Sequence, residues 1–593
     1  MPILYFKNLK WPTLYQWSQF FKILGKKESY LFFGFCVLIA VSAVFVGYRI
    51  YKGNTEVAPA LGGIYREGII GSPRYLNPVL AQTNDADRDV TRVIFSGLFK
   101  YNSKGAFIPD LAESYQIGDS GKTYEVFLRK NAFWHDGQPV TAEDVIYTIS
   151  IIKDPNYRSP LRANWYGVEV EKIDDFAIRF KLKNPYAAFL SNLTAGILPK
   201  HIWQNISFVD FPLSERNLKP IGSGPYFFKK LEKNKDGTIK TLELEAFKDF
   251  YLEGPYLSQI VLRFFGNEDD ALASWRKGEI QGVSYVSAVN YQAAKNRQNN
   301  GVNIYSLSLP RSFSLFFNQE IQKTLSDKNV RLAMAHAIDK NELVRQVLGG
   351  FGQPIHSPIP PGMLGYSNDI KIYEFNIDKA KEILESNGWV DKDGDGIREK
   401  IMEKGKDPVK LEFTLTTISW PELVSAADFV KNSWEKIGIK TNVEANDALS
   451  VQQENIKSRQ YQILLFGEVL NIDPDPFSFW HSSQKKDPGL NIAVYDNSKV
   501  DAILQDARQD IDQASRAKKY EEFSKIIVED LPAIFLYSPS YLYPLSNQIK
   551  GIDFKKAPEN SEEKIFMPSD RFSEIEKWYI KTKRTWHWKG FFN

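Results

Sequence analysis

Cysteine is almost absent from this 593-residue chain, and so is any surplus of charge. The single cysteine, Cys36, excludes an intramolecular disulfide in any compartment. Basic and acidic side chains nearly cancel, 75 against 72, so no global field draws the chain to nucleic acid. The six histidines are scattered, and no His-Glu-x-x-His, Gly-x-Ser-x-Gly or Cys-x-x-Cys pattern occurs. Gly222-Ser223-Gly224 lacks the spacing of a nucleophile elbow. Gly121-Lys122-Thr123 ends like a phosphate loop, but Gln116 stands where its first glycine belongs. No catalytic constellation and no cofactor site follow from these residues, and the expectation is a protein that is not an enzyme.

What is present is the composition of an ordinary globular protein, 43% hydrophobic and 25% charged, in a chain long enough for two or three domains. Residues Tyr30 to Tyr48 carry no charge and are long enough to cross a bilayer as a helix. Lys7, Lys10, Lys22, Lys26 and Lys27 precede the stretch against one acid, Glu28, which predicts a cytoplasmic amino terminus and an extracytoplasmic remainder. A cleaved signal peptide is the rival reading, with a shorter apolar region and an early small-residue cleavage site. Phe35 before Cys36 lacks the small side chain that lipid attachment needs. Residues 1–29 read as a basic, aromatic tail, 30–48 as the span and 49–62 as a linker.

Further on, Tyr124, Val126 and Leu128 alternate with Glu125, Phe127 and Arg129, the period of a strand. Asp136-Gly137 supplies a turn, and Thr141 with Asp144 forms a capping box before Val145, Ile149 and Ile152. The run Leu128 to Val145 (LRKNAFWHDGQPVTAEDV) closely resembles the signature of the family 5 extracellular solute-binding proteins, receptors of ABC importers for peptides, nickel and oligosaccharides. Leu76-Asn77-Pro78, Pro220 to Phe228 (PIGSGPYFF), Arg459 to Ser482 and Glu529 to Tyr537 resemble further landmarks of that family.

The resemblance implies an α/β fold, a two-lobed clamshell with an extra small α/β domain after the transmembrane helix. Lobe I is expected over 63–98, 216–308 and 526–593, the small domain over 99–215 and lobe II over 309–525. It implies a monomeric receptor that closes on a solute, an oligopeptide first of all, and delivers it to the membrane subunits of an ABC permease. An oligosaccharide receptor, or a membrane-anchored sensor outside transport, are the alternatives.

Peptide receptors of this family hold the ligand's amino terminus with an Asp four residues before the proline of a lobe II loop. Here that position is Leu470, whose apolar side chain cannot neutralise an ammonium group. Glu468 or Asp473 is expected to replace it, with Asn471, Phe477 and Trp480 on the same loop. Gln82 and Asn84 from lobe I and Trp165 from the small domain complete the ligand-binding set that the resemblance implies. Asp391-Lys392-Asp393-Gly394-Asp395-Gly396 matches half of a calcium loop, but position twelve is Met402 rather than a bidentate Glu, so no metal is expected there.

Overall fold

The structure is a computed structural model and describes residues 13–102, 105–295, 301–402, 407–470, 473–554 and 567–586. The chain divides into two units, residues 1–60 with 581–593, and Leu61–Ile580. In the first unit, helix α1 (Leu14–Ile23) opens on a capping box: the Thr13 hydroxyl accepts from the Gln16 amide and the Gln16 side chain accepts from the Thr13 amide. Helix α2 (Lys26–Asn54) is 29 residues long, roughly 43 Å at 1.5 Å per residue, and is long and apolar enough to cross a membrane. It outruns the uncharged stretch at both ends because neither flank contains a breaker before Gly53.

Strand β1 (Thr55–Ala60) follows at once and pairs antiparallel with Lys581–Trp586, Thr55 opposite Trp586 and Ala60 opposite Lys581. The Trp586 ring meets Tyr51 edge-on at 5.8 Å, and Arg584 donates to the Thr55 hydroxyl at 2.7 Å. Where the sequence suggested an aperiodic linker over 49–62, the chain forms the last helical turn and a ribbon. The partner strand lies at the far end of the chain, so local sequence carries no sign of it.

In the second unit, β2 (Ile64–Ile70) leads to helix α3 (Asp85–Ile94). The small domain then lays down β3 (Ala112–Gly118) and β4 (Thr123–Leu128), helix α4 (Ala142–Lys153), and β5 (Val168–Asp174) and β6 (Ala177–Leu182), in sheet order β3-β4-β6-β5. Tyr124, Val126 and Leu128 are buried and their neighbours half-buried, as the alternation predicts. The Asp144 carboxylate reaches back to the Thr141 amide at 2.9 Å, while the Thr141 hydroxyl turns to the same carboxylate.

Strands β7 (Tyr226–Lys233), β8 (Ile239–Ala246), β9 (Gln259–Phe265), β10 (Gly282–Val283) and β11 (Val302–Ser308) return the chain to lobe I. Lobe II begins with β12 (Arg311–Phe317) and helices α5 (Lys328–His336) and α6 (Lys340–Val347). It continues through β13 (Glu412–Ile418), helix α7 (Pro421–Glu435), β14 (Lys440–Asn446), β15 (Ile463–Val469), and helices α8 (Ser498–Gln509) and α9 (Gln513–Asp530). Strand β16 (Ala533–Ser546) belongs to both lobes. Its first half pairs with β12 and its second half with β11, joining the sheet β14-β13-β15-β12-β16-β10-β2-β9-β8-β7.

One large hydrophobic core serves lobe I and the small domain, with a smaller lobe I cluster around Leu272, Trp275 and Leu542 beside it, and another large core serves lobe II. They change over between Leu309 and Phe313 on the outward path and between Tyr537 and Tyr541 on the return. The return crossing thus lies inside β16, beyond the 525/526 boundary expected from the sequence, because a single 14-residue strand serves both cores.

Where β2, α3, β16 and the C-terminal segment meet, Arg571 is wholly buried. Its guanidinium grips Asp89 through both carboxylate oxygens at 2.7 Å and reaches Glu67 at 3.1 Å. Tyr543 donates to Glu67 at 2.9 Å. Removing one member of a buried ion pair leaves a charge without compensation. Arg571→Leu is therefore expected to destabilise the protein by about 3–5 kcal/mol, read as a lower denaturant midpoint of the full chain in detergent; an unchanged midpoint excludes a stabilising role for the cluster.

Candidate functional site

Two cavities lie around the cleft, one at the seam between the lobes and one between lobe I and the small domain. The larger, about 670 Å³, has one wall from lobe II, with Arg311 and Phe313 of β12 and Trp420 and Glu422 at the start of α7. The opposite wall comes from lobe I, with Tyr285 and Tyr541 among its residues. The smaller, about 180 Å³, lies between Gln82, Arg88, Trp165, Asn192, Met567 and Asp570. Helix α3 contributes to both, through Asp85 and Asp89 on one side and Arg88 on the other.

Strand alternation explains which side chains face the larger cavity. On β12, Arg311 and Phe313 line it, while Ser312 and Ser314 point to the other face, where Glu468 sits directly across from Ser312 on β15. Phe313 is stacked on Tyr537 at 5.1 Å, which fixes the apolar floor. Glu422 is the second residue of α7, after Pro421 in the first turn, and its Oε1 is buried without a partner. Burial raises the Glu422 carboxyl above its ordinary range and lowers the Arg311 guanidinium below its own.

Of the residues expected from the sequence, Gln82 and Trp165 come together on the smaller cavity. Trp165 is also packed edge-on against Phe189 at 6.0 Å. Asn84 caps α3: its side chain accepts from the Ala86 amide at 2.9 Å and donates to the Ser72 carbonyl at 2.9 Å. Asp473 is held by Arg516 at 2.6 Å and by the Tyr520 hydroxyl at 3.2 Å. Phe477 lies under the Arg508 guanidinium at 4.4 Å and stacks on His481. Trp480 is buried among Phe316, Tyr495, Phe523 and Phe535 in the lobe II core. Asn471 lies outside the described residues. Glu468, Asp473, Phe477 and Trp480 line neither cavity.

The same loop does join the two sides of the cleft. Asp475 accepts from the Tyr186 hydroxyl of the small domain at 3.1 Å and pairs with Arg508 at 2.9 Å, while the Ala187 amide donates to the Arg508 carbonyl at 3.1 Å. Leu470 is buried, and its amide donates to the Pro310 carbonyl at 2.8 Å. In the Asp391–Gly396 turn, Asp391 accepts from the amides of Gly394 and Gly396, and the Lys410 ammonium pairs with Asp393 at 2.8 Å and with Asp395. Those carboxylates are thus engaged in holding a turn.

Arg311 and Glu422 escaped the sequence reading. The signal available was Arg311 itself, a long cation opening the otherwise apolar strand RSFSLFF, but which face it takes depends on the register with β15 and β16.

A two-lobed α/β fold joined by two adjacent crossovers, with a cavity walled by both lobes, defines the class of periplasmic-type solute-binding proteins. The model for the bacterial extracellular solute-binding proteins, family 5 (middle), matches residues 106–489, and the chain belongs to that family. It is 33% identical to the oligopeptide-binding protein AppA of Bacillus subtilis over 88% of this chain and 92% of the relative. The solved structure of that protein in complex with a nonapeptide superposes with a TM-score of 0.68 at 30% identity, covering 88% of this chain and 100% of the other. NikZ of Campylobacter jejuni, solved with Ni(L-His), gives a TM-score of 0.70 at 28% identity, covering 87% and 99%. The chain is thus a solute-binding receptor of an ABC importer, from a family of receptors rather than enzymes, with an extracytoplasmic binding domain.

Glu468 generates a pH prediction. Neither carboxylate oxygen has a partner, and burial pushes the group from 4.5 up to about 8. The folded protein therefore keeps this proton where the unfolded chain has lost it. The stability this confers is complete below about pH 4.5 and is lost as pH rises through about 8. Glu468→Gln is expected to flatten that decline and to be the more stable protein at pH 8 by roughly 2–5 kcal/mol, measured by denaturant titrations at several pH values; parallel pH profiles for the two proteins rule this out.

Proposed function

We propose that this receptor is held at the cell surface by α2 and binds oligopeptides between its lobes. The observation that carries the reading is the cavity of about 670 Å³ walled by both lobes, a size typical of small-ligand sites. It occurs in a chain 33% identical to an oligopeptide-binding protein along nearly its whole length. Apolar rings from Phe313, Trp420 and Tyr285 supply contact area for a bound solute. A solute touching both walls favours the closed arrangement, which a permease then distinguishes from the open one.

Helix α2 favours an anchor over a cleaved leader, since its 29 residues exceed what a signal sequence needs and it ends directly in the β1 ribbon. Anchorage keeps the receptor close to its permease and raises its effective concentration there. Calorimetry of the full chain in detergent against mixed peptides and a panel of oligosaccharides tests the solute class. Peptide binding is expected, and tight oligosaccharide binding with none to peptides overturns it. Alkaline extraction of membranes tests the anchor: the chain is expected in the pellet, and its release into the supernatant removes the anchor.

A further inference from the structure

Four charged side chains besides Arg311 line the larger cavity: Asp85, Asp89, Glu268 and Glu422. Asp85 is paired with Arg88, and Asp89 is gripped by Arg571. Glu268 accepts from the amide and the hydroxyl of Ser287, at 2.8 and 3.1 Å. Three acids are thus committed to the protein.

Three arginines of lobe II are committed as well. Arg331 donates to the carbonyls of Leu325, Asp530 and Leu531, and Arg508 and Arg516 hold Asp475 and Asp473. Arg311 differs. Its side chain projects into the cavity from the first residue of β12 and makes no hydrogen bond or ion pair among the described residues. The acid on the same wall, Glu422, makes no ion pair with it, and burial raises the Glu422 carboxyl above its ordinary range.

A planar cation with its donors free, facing a cavity lined by the Phe313 ring, has the geometry to take a carboxylate through two parallel bonds. We infer that Arg311 receives a carboxylate of the bound solute and so selects solutes carrying a free carboxylate at that end. The inference rests on the peptide reading above and deepens it. In a peptide the carboxylate comes from the C-terminus or from an acidic side chain, which the experiment separates.

One peptide sequence without acidic residues is titrated into the full chain in detergent as the free acid, as the C-terminal amide, and as the amide with one Glu added. The wild-type protein is expected to bind a carboxylate-bearing form at least about tenfold more tightly than the plain amide, and the preferred form identifies the source. Arg311→Gln is expected to bind all three alike, at the affinity of the plain amide, with an unchanged unfolding midpoint. Wild-type binding of all three forms with equal affinity overturns the assignment of Arg311 and leaves the peptide reading standing. Binding of none of them overturns both.

Discussion

Arg571, buried without access to water and held by two carboxylates, is the contact on which the cleft depends. Its partners come from β2 and α3, and Tyr543 of β16 completes the cluster, so four distant stretches of chain meet around one charge. A buried ion cluster adds little to net stability compared with a well-packed apolar one, but it tolerates only one arrangement of its members. Here that arrangement fixes the pose of α3 and of Met567–Asp570, which together contribute walls to both cavities. Asp89, which lines the larger cavity, is thereby paired from within the lobe.

A second constraint is the passage of both crossovers through one sheet. Because β16 pairs with β12 in its first half and with β11 in its second, and Leu309-Pro310 runs beside it, a change in lobe angle is confined to a few residues of paired backbone. Across the opening, the Tyr186–Asp475–Arg508 contact joins the small domain to lobe II. The Asp475 carboxylate is buried in that contact, with Tyr186 and Arg508 as its partners. The solute then decides the equilibrium, through whatever it gains from touching both walls at once.

The fold was legible where the sequence signals are local. The alternation and capping at Tyr124 to Val145 and the uncharged run from Tyr30 each became the element they predict. The ribbon of Thr55–Ala60 was not, because its partner begins at Lys581 and strand pairing across the chain leaves no mark in a local window. The same limit governs the site. Gln82 and Trp165 reach a cavity, whereas the residues of the 473–480 loop are expected as ligand contacts because the loop resembles the family's ligand-facing loop. In the folded chain Asp473 is satisfied by Arg516 and Trp480 is enclosed by four rings. Arg311 carries the opposite lesson, since only the register of β12 reveals that it faces open space.

The replacement of an acid by Leu470 then acquires a physical meaning. Leu470 is buried and its amide donates to the Pro310 carbonyl, next to the crossover, so the position that the family gives to a carboxylate here holds an apolar side chain. Glu468, two residues earlier, is enclosed, and burial pushes its carboxyl up to about 8, which disfavours a negative charge there. Asp473 and Asp475 are spent on Arg516 and Arg508. Among the described residues lining the larger cavity, the one cation is Arg311, and its side chain has no hydrogen bond or ion pair. A cleft built in this way distinguishes solutes by the negative end they present, and the positive end is left to contacts that need no ion pair.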